Sequence, residues 1–341
     1  MYRFSPGVRE MGCREALHCS FQVASDNLQR TAQLPLNSRS LREMTENQGR
    51  AVLTAQRDGS LRPAFTAANS TAETLISGAD GVMVPLVTEQ QKRRRRETES
   101  TKRIAQGRSS TAKVGRPKKG SDGDYKEFKV LAFYDPDKSH CHVVGTSGDH
   151  EVLGQLMRRE GRRLRLAKAK VKYAVSDGAK WIANQYRRQL PMLDEHILDY
   201  YHLQEHVVET SQVLYGEGTK KAQNWREEMM GQVWEQGSLV LLDRLGSYRR
   251  RHPSGAKHEA LKALADYVGE RVAMTDYPTF RQQGYDCGSG PIESLCDGLT
   301  DRLKGPGMRW DKANAEAMMA LAALYHSDLW KTYWKSQQAA A

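Results

Sequence analysis

Between Thr74 and Asp199 the chain alternates short β-rich runs with helical ones, and that alternation limits it to a sheet covered by helices. The first run is TLISGADGVMV, residues 74–84, with Asp80 inside it and Pro85 placed to end its ladder. EFKVLAFYDP and HCHVVG follow as a hairpin turning on Asp135-Pro136-Asp137-Lys138. A helix is predicted from about Asp149 to Arg163, then the strand VKYAVSD ending at Asp177. A second helix runs from Lys180 to Gln189, and a short strand, HILD, ends at Asp199. Five strands, with helices between the third and fourth and between the fourth and fifth, define an α/β class with a mixed five-stranded sheet.

From about His202 to Val272 Leu, Val and Trp recur at three- and four-residue spacings with little strand signal, which predicts an all-α insertion. Tyr277 to Gly290 reads as loop. Pro291 opens a helix to about Lys304, and the turn GPGMRW leads to a last helix, Lys312 to Lys331, with Met318, Met319, Leu321, Leu324 and Tyr325 on its apolar side. Ahead of the sheet, residues 21–50 read as two short helices around Leu34-Pro35-Leu36-Asn37, a helix-turn-helix-like pattern. Ala24, Leu28 and Ala32 face inward from the first, Leu41 and Met44 from the second, and Asn37 or Ser38 caps the second. The expected layout is an N-terminal helical DNA-binding region over 1–70 and the first part of the core over 71–204, with a basic insertion at 88–125. The all-α insertion over 205–285 follows, and the rest of the core and the C-terminal helix occupy 286–335.

Lys and Arg total 52 against 41 Asp and Glu, a net charge of +11 that points to polyanions rather than small neutral ligands. The excess is concentrated. Lys92 to Lys119 holds 12 Lys or Arg against Glu97 and Glu99, and this stretch reads as a mobile insertion. A second basic cluster spans Met157 to Lys172. The five cysteines form no C-x-x-C pair, which argues against a disulfide framework or a zinc finger and fits a reducing cytosol. No apolar run reaches the roughly 18 residues a membrane span needs, and the polar start does not resemble a secretory signal. A cytoplasmic, nucleoid-associated protein is the expectation.

Three acids stand where a cluster can form: Asp80 on the first strand, Asp177 at the end of the fourth and Glu293 on a later helix. Cleaving a phosphodiester requires activating a nucleophile and stabilising a leaving oxyanion, which two divalent ions held by carboxylates can do. Each acid also has an ordinary structural role open to it. Asp80 in Ala-Asp-Gly can start a turn, and Asp177 can cap the next helix. With Gly290 as N-cap and Pro291 as N1, Glu293 falls at N3, where a Glu bonds back toward the cap.

The blocks GADGVMVPL around Asp80, SDGAKWI around Asp177, ILDYYHLQEH from Ile197 and GSGPIESLCDGLTDRLKGPGMRW around Glu293 resemble bacterial insertion-sequence transposases of the ISKra-four family, relatives of Mutator-like elements. They span about Leu75 to Trp310. The resemblance implies a DDE-type transposase on a ribonuclease-H-like core, interrupted by an all-α insertion before the catalytic Glu. It implies Asp80, Asp177 and Glu293 as ligands of two Mg2+ or Mn2+ ions. The Asp-x-x-His signature maps to Asp199-Tyr200-Tyr201-His202, with His202 expected near the scissile phosphate or positioning Asp177. Only about 70 residues precede the core, fewer than such enzymes commonly carry, so the expected end reader is minimal or the copy shortened. Alternatives in the same frame are a structure-selective nuclease or resolvase and an inactive DNA-binding regulator.

The implied partner is double-stranded DNA, both element ends and target, held by a homodimer or higher oligomer. Arg39 and Arg42 lie where a recognition helix meets base edges. Lys92, Arg93, Arg94, Arg95 and Arg96, Arg162 in the second cluster, and Lys304 and Arg309 beside the GPGM turn are candidates for phosphate contacts. VGRPKKG, with Arg116 and Lys118, resembles an AT-hook centre, which lies in a narrow minor groove. Trp310 is a candidate for stacking on a base, with a core position as its ordinary alternative.

Overall fold

The computed structural model describes residues 4–108, 124–305 and 308–339. Its centre is a five-stranded sheet of β1 (Thr74–Pro85), β2 (Tyr125–Tyr134), β3 (Cys141–Thr146), β4 (Val171–Ser176) and β5 (Glu195–Leu198) in the order β3-β2-β1-β4-β5. β1, β2 and β3 form an antiparallel meander, while β4 and β5 join parallel to β1. The strands match the sequence reading to within two residues. β-branched and aromatic residues fill them, and Pro85, unable to donate to a ladder, is the last residue of β1.

Side chains alternate across β1, so Leu75 and Ala79 face one side and Ile76 and Val82 the other. The first side is covered by α5 (His150–Arg163) and α6 (Lys180–Gln189), whose Leu153, Met157, Ile182 and Tyr186 complete that core. Asp149, where the sequence reading began this helix, caps α5 by accepting from the backbone N–H of Glu151 and Val152 at 3.0 Å. The second side carries α12 (Gly290–Lys304) and α13 (Lys312–His326).

The N-terminal helices are α1 (Pro6–His18), α2 (Phe21–Ala32) and α3 (Ser38–Asp58), α1 having gone unread in the sequence. Ala24, Leu28, Leu41 and Met44 form their small core, and Asn37 caps α3 by accepting from Ser40 N–H at 2.8 Å; Ala32 stays only half-buried. α3 is long enough to lie along α13. A Cβ on Gly49 would stand 2.5 Å from the carbonyl oxygen of Ala317, so the two backbones meet at a distance only glycine permits. α13 is consequently buried on all sides from Ala315 to Leu324 rather than along one stripe.

Four expectations need correction. The stretch expected to be a mobile insertion contains α4 (Glu89–Ala105), opened by a reciprocal Thr88–Gln91 capping box and braced by Arg93–Glu97; it has no buried residue, so no apolar periodicity announced it. The segment read as loop from Tyr277 contains α11 (Tyr277–Gln282), held by the burial of Tyr277 and Phe280. The last helix does not reach Lys331: Asp328 turns to φ +54° and a separate α14 (Trp330–Ala339) begins, tied to the N-terminus by Trp330 Nε1 donating to Glu10 at 3.1 Å. At α12 the N-cap is Ser289, not Gly290, which moves Glu293 one position deeper.

The expected all-α module is present as α7 (Tyr200–Tyr215), α8 (Lys220–Gln236), α9 (Ser238–Arg251) and α10 (Ala256–Gly269), followed by α11. Leu203, Val207, Trp225, Met229, Leu241 and Leu264 pack its interior. No described helix is long and apolar enough to cross a membrane.

His196 on β5 is half-buried, packed against Tyr186 and hydrogen-bonded to Ser176 Oγ at 2.8 Å, and desolvation of its ring pushes its pKa down to about 4. Its folded value lies below the unfolded one of 6.5, so its neutral form stabilises fully above pH 6.5 and that contribution is lost as pH falls toward 4. Urea titrations of wild type and His196→Asn should show the wild-type advantage shrinking by about 3 kcal/mol across that window, at 1.36 kcal/mol per unit; a pH-independent difference would contradict this.

Candidate active site

Parallel pairing of β1 and β4 sets Gly78 against Val175. Asp80 follows two residues beyond that last pair on β1 and Asp177 two residues beyond it on the other chain segment, close enough for the charge of Asp177 to act on Asp80. α12 approaches closely because Gly78 has no side chain: a Cβ there would lie 2.8 Å from Cβ of Ile292. The next residue along that helix is Glu293. Topology thus brings together the three acids that the sequence singled out.

Asp80 is half-buried, its Oδ1 accepting from Gly81 N–H at 2.6 Å and its carboxylate hydrogen-bonded to the thiol of Cys296. Its pKa is raised, first by burial and then by the charges of Asp177 and Glu293, against the lowering effect of those two hydrogen bonds. Asp177 uses Oδ1 to accept from Ala179 N–H at 2.9 Å, so it supports the turn into α6 without being that helix's N-cap. Exposed Glu293 accepts from Ser289 Oγ at 2.6 Å through Oε1, rather than bonding back to backbone.

Buried Asp199 holds this arrangement. Oδ1 accepts from the N–H groups of Tyr201 at 2.5 Å and His202 at 3.2 Å, capping α7, while Oδ2 accepts from Ser289 N–H at 2.7 Å and from Ser289 Oγ. The single Ser289 hydroxyl proton therefore stands between the Asp199 and Glu293 carboxylates. Ser289 escaped the sequence reading, although a Ser ahead of Gly-Pro is itself a helix-start signal. Cys296 escaped too, one helical turn beyond Glu293, and nothing in its sequence position marks it.

His202 sits half-buried with Nδ1 3.3 Å from Glu205, and its ring is 5.5 Å from that of His206. His206 in turn packs on Tyr267 at 4.0 Å, and burial, then the charge of His202, lowers its pKa. The Tyr267 hydroxyl donates to the carbonyl of Asp177 at 3.3 Å. Its phenol is pushed up to about 12 by burial, with Asp177 and Asp199 adding to the shift and Arg271 opposing it. Arg271 lies over the Tyr267 ring and donates to the Gly178 carbonyl at 2.9 Å. The helical module thereby grips the turn that carries Asp177, a contact across some 90 residues that no local pattern announces.

Among the described residues no group of three or more His, Cys, Asp or Glu is gathered tightly enough to enclose a metal ion. By donor chemistry the three acids suit a hard divalent cation: they are oxygen ligands, open to solvent at Glu293, and the leading charge effects on Asp80 come from other carboxylates. Such a set is relieved by positive charge and leaves room for substrate oxygens.

The cationic candidates lie apart. Arg39 and Arg42 are exposed at the start of α3, paired with Glu43 and Glu46. Lys92 pairs with Glu89 and Asp311, Arg93 with Glu97, while Arg94 and Arg95 are exposed on α4 and Arg96 half-exposed. Arg162 is exposed on α5, Lys304 stands 3.8 Å from Asp297, and Arg309 pairs with Asp124 at 2.9 Å. Arg116 and Lys118 lie outside the described residues. Trp310 takes the core position rather than a stacking one: it is 7% exposed, edge-on to Phe21, with the Arg302 guanidinium over its ring.

No protein-family model matches the chain, and no curated protein does either.

Asp199→Ala should destabilise by about 3 kcal/mol, since it strands the buried N–H groups it satisfies, whereas Ser289→Ala should cost about 1 kcal/mol. Equal losses in denaturant titration would show that Asp199 is not the anchor.

Proposed function

We propose that this chain is a DNA-cutting and DNA-joining enzyme of the DDE transposase class, with Asp80, Asp177 and Glu293 holding two divalent ions, Mg2+ or Mn2+, on a ribonuclease-H-like sheet. The observation that carries the reading is the placement of Asp80 on the central strand where the Asp177 turn after β4 and Glu293 on α12 both bring their charges to it. Support for the sheet assignment comes from three antiparallel strands followed by two parallel ones, with a helical module between β5 and the helix bearing Glu293.

The reaction forms a bond to phosphorus from a water or 3′-hydroxyl oxygen and breaks the bond to O3′. The bound ions would supply nucleophile activation and leaving-oxyanion stabilisation. Asp80 sits on the central strand and Asp177 in the turn directly after β4, where its Oδ1 is held by Ala179 N–H, while Ser289 and Asp199 restrain Glu293. His202, whose backbone N–H donates to Asp199, connects to the Asp177 turn only through His206 and Tyr267, so its role is one of support. Double-stranded DNA, as element ends and target, is the proposed partner, gripped by exposed Arg94 and Arg95 among others, with at least a dimer bridging two ends.

Purified protein with Mg2+, labelled element ends and a plasmid should yield joined products. Asp80→Asn, Asp177→Asn and Glu293→Gln should each lower joining by at least about 100-fold while end binding survives. Nicking without joining would favour a nuclease, and binding without cleavage a regulator; normal joining by any variant removes that residue from the mechanism.

Asp80→Asn carries a second expectation. Its folded pKa lies above 3.8, so the ionised form costs the fold stability at neutral pH, and that cost fades as pH falls through the raised value. The variant should therefore melt higher than wild type at pH 7.5 and lose that advantage in acid.

A further inference from the structure

On α5, Arg159 and Arg163 turn inward to the buried Glu160. Arg158 and Arg162, about 6 Å apart along the same helix, do not. They line a cavity of about 900 Å3 together with Arg165 and Lys168 from the turn after α5. All four are exposed, and none has a carboxylate partner among the described residues. The single acid in the lining, Glu73, is already paired with Lys170, and Arg188 on the far wall is held by Glu151. The floor is apolar, built from Leu166 and Leu190 with Met192 at the edge.

This cavity lies at the opposite end of the sheet from the acid cluster. It is built where α5 ends and β4 begins, while Asp177 follows the last residue of β4. Six strand residues separate the two, about 20 Å.

We propose that the cavity is a second nucleic-acid surface, which holds a stretch of DNA other than the one lying at Asp80, Asp177 and Glu293. Four unpaired cations spread around a wide mouth do not close on a single small anion. Spread charge suits a chain of phosphates, which releases counterions at each contact, and an apolar floor suits sugar and base faces. The choice of DNA as ligand rests on the functional reading above; the site itself rests on its own residues.

The test uses the full chain and random-sequence duplex and single-stranded oligonucleotides, followed by fluorescence anisotropy between 50 and 200 mM KCl. Arg158→Ala/Arg162→Ala/Lys168→Ala should weaken binding at least tenfold and lower the slope of log affinity against log salt by about 2 to 3, near 0.9 per lost contact. A wild-type protein that joins no DNA while the triple variant shows the slope change retains this surface and loses only the transposase reading. A wild-type slope in the triple variant overturns the proposal. So does competition by an acidic peptide that matches DNA in affinity and in dependence on the three cations, which would make the surface a protein-docking one. Circular dichroism of the triple variant checks that these exposed substitutions leave the fold intact.

Discussion

The buried Asp199 carboxylate is the contact on which the rest of the site depends. Four donors converge on it, two from the start of α7 and two from Ser289, and they join positions 90 residues apart in sequence. Next to it, Tyr200 N–H donates to the Cys287 carbonyl at 2.9 Å, so the helical module leaves and re-enters the sheet through one hydrogen-bonded gate. A carboxylate in such a place is costly to bury without donors and strongly organising with them. Its effect reaches Glu293 through the shared Ser289 hydroxyl, which makes the position of that exposed acid a property of the gate as much as of its own helix.

Around the gate the fold gathers like charges where hydrophobic packing would otherwise prevail. Asp80 lies on the central strand, flanked above and below by buried residues, and its neighbours at the strand end are acids. The arrangement opposes stability and is sustained by the sheet, by the Ile292 contact over Gly78, and by the Tyr267 and Arg271 grip on the Asp177 turn. Like charges gathered at one end of an otherwise apolar core are what make this the candidate site of the fold.

The basic surplus is distributed differently. α4 stands on its caps and side-chain ion pairs without an apolar face, a projecting cationic helix. The N-terminal helices, by contrast, are bound into the core: Arg302 donates to the Ala16 carbonyl at 2.9 Å and lies over Phe21, and α3 runs along α13. Their exposed arginines are thus presented from a rigid platform.

Strand and helix placement was legible in the sequence because periodicity, caps and Pro punctuation are local, as at Asp149, Asn37 and Pro85. The three acids were legible as candidates through the blocks around them. α4 was hidden because a helix with no buried face has no apolar period, and α11 because its two anchoring aromatics meet partners far along the chain. Trp310 and Ser289 show the same limit from both sides, one looking functional in sequence and buried in the core, the other looking like linker and bonded to two carboxylates. By itself the sequence determined the five strands and most helices with an apolar face, the charge, and which acids were available. Only the tertiary structure decided their neighbours, because register between β1 and β4, the close approach at Gly78 and the closure at Asp199 all join residues distant along the chain.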